Sequence, residues 1–89
     1  MKAIVTVVGS DKVGIIAKVS NFLAEREINI DDISQTVLEG NFVMMMMVDL
    51  SRSAERVGQL KDELDVLGEQ LGVSIAMMHE RVFSAMHRI

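Results

Sequence analysis

Hydrophobic and polar positions change period along the chain, and each change marks an element. Ala3 to Val8 is a continuous run rich in β-branched residues, ended by Gly9-Ser10-Asp11. Both of its faces are apolar, which predicts a central strand covered on two sides. From Gly14 to Glu27 the apolar residues Ile15, Ile16, Val19, Phe22 and Leu23 follow helical spacing. Ser10 or Asp11 can cap that helix, because a short side-chain oxygen accepts from an orphan backbone N–H. Ile28 to Leu38 returns to a strand pattern through Ile28, Ile30, Ser34, Thr36 and Val37, with an acidic interruption at Asp31-Asp32. The short turn Glu39-Gly40-Asn41 predicts an antiparallel hairpin to the strand Phe42–Leu50. Ser51 or Ser53 then opens a second helix, with Val57, Leu60, Leu64, Leu67 and Leu71 on one stripe. Its wet face carries Arg56, Gln59, Asp62, Glu63 and Glu69. Gly72 is a natural stop in the left-handed conformation. Val73 to Met78 is a fourth strand. The tail from His79 to Ile89 reads as a short helix with Val82, Phe83, Met86 and Ile89 on its apolar side.

The order is thus β-α-β-β-α-β, and two right-handed crossovers build an α+β, ferredoxin-like sandwich. Four antiparallel strands carry both helices on one face. The other face should then be polar, yet the third strand is apolar on both sides. Phe42, Met44, Met46 and Val48 alternate with Val43, Met45 and Met47, and Met77-Met78 repeats the pattern on the last strand. An open patch of this kind exceeds what monomers usually expose. The tail can cover part of it, and a second chain is expected to cover the rest, so a homodimer is predicted.

Composition narrows the function. Eighty-nine residues make one domain, without proline, linker or low-complexity segment. Nine Lys and Arg against thirteen Asp and Glu leave a net charge of −4, which argues against a nucleic-acid footprint. No cysteine means no disulfide and no thiol nucleophile. Lys2 and Asp11 bracket only a short apolar run, and Phe42–Val48 falls far short of a membrane span. A cytoplasmic protein without membrane contact is expected.

Candidate chemistry is sparse. In the loop Gly9-Ser10-Asp11-Lys12-Val13-Gly14, Gly14 permits close approach to the backbone. The N–H groups of Gly14, Ile15 and Ile16 lie at a helix N-terminus, whose dipole favours a carboxylate or phosphate. Asp11 beside them can pair with an ammonium group, so the loop suits the two charged ends of an amino acid. A plain helix cap with a turn glycine explains the same residues. Asn29-Ile30-Asp31-Asp32-Ile33 can present carbonyls and side chains to a ligand, or simply form a solvated turn. His79 and His87 have no triad partners, so no nucleophile with a placed base can be argued. Consecutive strand methionines point to opposite faces, which weakens a soft-metal site. No cofactor, metal or catalytic residue is predicted. An acyl-phosphate hydrolase of the same topology needs an arginine in the first loop, and only Lys12 is there. An RNA-recognition module needs exposed strand aromatics, and the chain has three Phe and neither Tyr nor Trp.

Ala3-Ile4-Val5-Thr6-Val7-Val8-Gly9 followed by Asp11-Lys12-Val13-Gly14-Ile15-Ile16-Ala17-Lys18-Val19 resembles the first strand and helix of ACT domains. Glu27-Ile28-Asn29-Ile30-Asp31-Asp32-Ile33-Ser34-Gln35 is similar to that family's second-strand opening. The resemblance covers residues 1–78, with 79–89 as a C-terminal helical extension. With its ending Phe83-Ser84-Ala85-Met86-His87-Arg88-Ile89, the whole chain resembles small stand-alone ACT proteins of bacteria and archaea. In the wider family it is most similar to the ACT modules of formyltetrahydrofolate deformylase and the glycine cleavage repressor. The resemblance implies non-enzymatic regulation by an amino acid or related metabolite, bound where the first loop meets a partner chain. Carried over by residue, Asp11, Lys12 and the N–H groups of Val13, Gly14 and Ile15 hold the ligand, and Asn29, Ile30 and Asp31 of the facing chain close the site. Val13 replaces the proline that many amino-acid-binding members carry before the glycine, so this loop is less preorganised. With no attached enzyme or DNA-binding domain expected, a signal would pass to a separate protein partner. A protein-interaction module with a vestigial ligand site is the alternative.

Overall fold

The computed structural model describes residues 1–10 and 13–86. Strand β1 (Lys2–Gly9) leads to helix α1 (Ile15–Glu25), then to strands β2 (Asn29–Leu38) and β3 (Asn41–Asp49). Helix α2 (Val57–Leu71), strand β4 (Ser74–His79) and a short helix α3 (Glu80–Met86) complete the chain. The sheet runs β2-β3-β1-β4, every neighbouring pair antiparallel, so the βαββαβ order has the ferredoxin-like arrangement read from the periodicity. The β-branched first strand is central, between β3 and β4.

Alternation along the strands sorts the side chains. Ala3, Val5 and Val7 of β1 face the helices with Phe42, Met44, Met46 and Val48 of β3, and all are buried. Ile15, Val19, Phe22 and Leu23 of α1 and Leu60 and Leu64 of α2 close the core from above. Each such buried side chain contributes about 1.5–3 kcal/mol by leaving water. Between Ile30 and Asp32 the register against β3 shifts by one residue, so Asp31 is an extra residue in a bulge. That bulge restores parity: Ile30 opposite Val48 and Ile33 opposite Met46 then share the helix side.

Helix starts differ from the expectation. The N-cap of α1 is Gly14 and that of α2 is Arg56, and neither has a side-chain cap bond. The capping position of α1 is held by Gly14, which enters the helix in the left-handed region at φ 75°, and not by Ser10; Asp11 lies outside the described residues. Ser51 instead bonds to Asp49 at the end of β3, and the Oγ of Ser53 accepts from the N–H of Glu55. Gly72 does end α2 in the left-handed conformation.

Arg26, just past α1, ties the two helices together. Its guanidinium lies 3.6 Å from the centre of the Phe22 ring, bonds Glu63 at 3.1 Å and meets Glu55 at 3.3 Å. The hydrogen bond from Arg26 holds the Glu63 carboxyl below its usual range. Sharing a hydrogen bond with Glu63, and then desolvation, raise that of Glu55. At the other end of α2 a Cβ on Gly68 would meet the carbonyl oxygen of Val73 at 2.8 Å, so helix and strand β4 approach through that glycine.

Gly68→Ala is expected to destabilise by about 1–3 kcal/mol, since backbone must move to admit the methyl. Gly58→Ala, in open space on the same helix, should stabilise by about 0.5–1 kcal/mol. Urea unfolding of the two variants reads both signs. Because the folded state favours protonated Glu55, its ionisation costs stability as pH rises through the raised pKa. Glu55→Gln should therefore raise Tm at pH 7, with the gain shrinking as pH falls into the carboxylate range. A Tm difference that does not vary with pH would contradict this assignment.

Candidate functional site

Residues from the loop after β1 are brought to one end of the sheet. Gly9, the last residue of β1, pairs with Phe42, and Phe42 pairs with Val37 of β2. Val13 and Gly14 form the turn into α1; Val13 is 86% exposed. The side chain of Ile15 is buried in the core, so the residue offers the outside only its backbone. Gly14 has no side chain to cap with, and the first-turn N–H groups of α1 form a positive helix end beside an exposed turn. A Cβ built on Gly14 meets nothing within 4 Å, so the glycine is required by its φ and not by crowding. Asp11 and Lys12 lie outside the described residues.

The second set lies at the opposite end. Asn29 pairs with Asp49, which pairs with Lys2 at the start of β1. Strands β1 and β2 are each antiparallel to β3 and so run the same way. Over the eight residues of β1 the two sets are therefore separated by about 23 Å at the usual rise per residue. One chain does not bring Val13, Gly14 and Ile15 together with Asn29, Ile30 and Asp31.

At that second end, Ile30 packs its half-buried side chain against the core, while Asn29 and Asp31 are exposed. The Nδ2 of Asn29 donates to Asp31 at 2.7 Å, and Lys2 Nζ stands 3.0 Å from the same carboxylate. The Lys2 bond, followed by the Asn29 bond, holds Asp31 below the ordinary carboxylate value. The partner contact raises the pKa of Lys2. A ligand ammonium would thus compete with Lys2 for Asp31. A shallow hollow beside this end is lined by Glu27, Ile28, Asn29 and Arg52. Arg52 escaped the sequence reading, because only the β2–β3 register shows that the turn after β3 stands beside Asn29.

The outer edge of the sheet also went unread. Strand β2 pairs on one side only, and all of its residues but Ile30 are exposed. From Ile33 to Leu38 it carries no charge and no proline, the usual devices that blunt an edge. Val37 and Leu38 are 61% and 65% exposed.

The profile of the ACT domain matches residues 2–78. The chain belongs to the ACT domain family. The UPF0237 protein of Clostridium acetobutylicum is 54% identical to this ACT protein over 89 residues, covering 100% of both chains. An ACT domain protein from Streptococcus pneumoniae has a solved structure with a TM-score of 0.85 and 47% identity, covering 98% of each chain. A protein described as a glycine cleavage system transcriptional repressor superposes at TM-score 0.76 with 26% identity, over 85% of this chain and 44% of that one. The formyltetrahydrofolate deformylase of Pseudomonas syringae shares the fold at TM-score 0.77 and 23% identity, over 88% of this chain and 27% of the enzyme. These likenesses agree with the family and both neighbours inferred from the loop and second-strand motifs. Among the described residues no helix is long and apolar enough to cross a membrane.

Asp31, with its lowered pKa, contributes stability that is present above its unfolded value and lost as pH falls through the folded one. Asp31→Asn should remove that part of the acid-side decline in Tm while leaving the decline due to other carboxylates. Superimposable Tm–pH curves would show that the Lys2 pair does not act in solution.

Proposed function

We propose that this ACT domain is a non-enzymatic regulatory module that binds an amino acid or a related small metabolite between two copies of the chain, in the cytoplasm. The observation that carries the reading is the separation of the two motif segments. Each is suited to part of a small zwitterion, and they stand at opposite ends of one sheet. A two-fold through the middle of β2, pairing that strand antiparallel with its own copy, reverses the ends. Asn29, Ile30 and Asp31 of a second copy then lie beside Val37 and Leu38, at the end where the first loop enters α1. The unpaired edge of β2, uncharged from Ile33 to Leu38, supports such pairing.

In the resulting site the N–H groups of the turn residues Val13 and Gly14 and of Ile15, the first helical residue, receive the ligand carboxylate. Asp11 and Lys12 belong to the same loop, and Asp11 takes the ammonium group. Asn29 and Asp31 of the second copy close over it, with Arg52 as a further cation near that end. Ligand binding regulates only through unequal affinity for two states, here the open and paired copies or their partner-bound forms. A second reading, a protein-interaction module with a vestigial ligand site, is favoured by the Lys2 and Asn29 bonds that already occupy Asp31.

Thermal shift against the twenty amino acids and a set of folate-pathway metabolites tests the first reading. A ligand at a hundred times its Kd adds about 2.7 kcal/mol, a shift of several degrees for a domain of this size. Gly14→Val and, separately, Asn29→Ala should each abolish that shift, although they lie at opposite ends of one chain. Loss in one variant alone would sink the two-copy site. No shift across the panel would favour the interaction module.

A further inference from the structure

The sheet face turned away from α1 and α2 is covered at one place by the chain itself. Ile4 of β1 points to that face, since Ala3 and Val5 on either side of it point to the core, yet it is only 5% exposed. Among the described residues, helix α3 is the element that shields it, packing against β1 and β4. The seat is a row of three side chains, with Ile4 paired to Met47 of β3 on one side and to Met78 of β4 on the other. Both methionines are half-buried. The strap above them is held lightly. Helix α3 has seven residues, none of them buried, and Phe83 is its one half-buried apolar side chain. A helix this short does not persist without a surface to pack on. Strand parity also divides the methionines. Met44 and Met46 are fully buried beneath the helices and Met77 is nearly so, whereas Met45, Met47 and Met78 lie on the outer face. A shallow hollow whose lining includes Ile4, Met45 and Met47 opens on that face, so a small molecule in solvent reaches the Met47 side of the seat.

We propose that Met47 and Met78 form a peroxide-sensitive modification site, and that their oxidation to sulfoxides releases α3 from the sheet. In the step, a lone pair of the thioether sulfur attacks one oxygen of hydrogen peroxide. The S–O bond forms as the O–O bond breaks, and the sulfur is oxidised by two electrons. The departing hydroxide takes up the proton of the transferred oxygen and leaves as water. An adaptable apolar side chain thereby becomes a polar S=O group. Beneath α3 the new oxygen has to find a donor or reach water, and lifting a seven-residue helix lets water in. The core methionines are shielded by α1 and α2, so the sheet and both long helices outlast the change. The site needs neither a ligand at the β2 edge nor a second copy of the chain.

Graded hydrogen peroxide tests this, with oxidation mapped by mass spectrometry of the peptides and amide hydrogen exchange reporting on residues 80–86. Sulfoxide is expected at Met47 and Met78, as at the exposed Met1 and Met86, before it reaches Met44, Met46 or Met77. At that stage exchange in 80–86 should rise about tenfold, the effect of one unbonded polar group at a half-buried contact, with the strand amides unchanged. Met47→Leu with Met78→Leu nearly conserves volume and should hold α3 in place under the same treatment, whereas Met86→Leu should respond like the parent. Residues 80–86 that are unprotected before treatment, or still protected with both sulfoxides present, overturn the proposal. Equal release in the double leucine variant does so too, since the effect would then lie at Met1, Met45 or Met86. A Met47 or Met78 that resists peroxide until the core methionines react is equally fatal. Mapping and exchange are read on the unaltered chain, so the outcome does not hang on the folding of any variant.

Discussion

Side chains alternate across a strand, and β1 and β3 lie at the middle of the sheet, so a single choice of parity governs the rest of the molecule. Pairing Val5 with Met46 and Val7 with Met44 sends four residues that are fully buried toward the helices. A slip of one residue in either strand would exchange that set for Thr6, Met45 and Met47 and leave α1 and α2 over a different surface. Because both sides of β3 are apolar, hydrophobicity alone selects this register weakly. The flanking features select it: the tight hairpin at Glu39-Gly40, the close approach of Gly9 to Val73, and the glycine contact between α2 and β4.

That ambiguity separates what was legible in the sequence from what was not. The core of α1 could be read because Ile15, Val19, Phe22 and Leu23 recur at helical spacing, and the end of α2 because Gly72 stands after its last leucine. The helix beginnings were misread because serine and aspartate have a local capping chemistry that the chain uses elsewhere. Ser51 and Ser53 spend theirs on the turn after β3, and Gly14 enters α1 by backbone conformation alone. The acidic interruption at Asp31-Asp32 was visible, whereas its role as a bulge needed the β3 partner. The candidate site was half legible. Its residue types stand in the motifs, but that they occupy opposite ends of one sheet follows from strand direction, and the open edge of β2 follows from strand order.

Electrostatics in this domain serves mainly to join elements. The Arg26 cluster fastens the end of α1 to α2, and the Lys2–Asp31 pair spans β3 to join the sheet's first two strands in sequence. The net charge is only −4 and the acidic residues are divided among helices, strands and turns, so little is left to form a concentrated field for steering a large charged partner. Small ligands, read by backbone dipoles and a few side chains, and apolar contacts between like surfaces suit such a molecule better.

The bulge at Asp31 has a consequence for any strand that lies along the free edge. An incoming strand meets an even repeat of backbone donors and acceptors only from Asp32 to Leu38, where β2 matches β3 one residue for one. In the two-fold pairing proposed above, Asp32 to Gln35 of each copy meet one another within that even repeat, and hydrogen bonds are forfeited beyond it, where each strand reaches the other's irregular step. The extra residue that keeps Ile30 and Ile33 on the same side thus also confines the regular part of a docked ladder to the stretch beyond it.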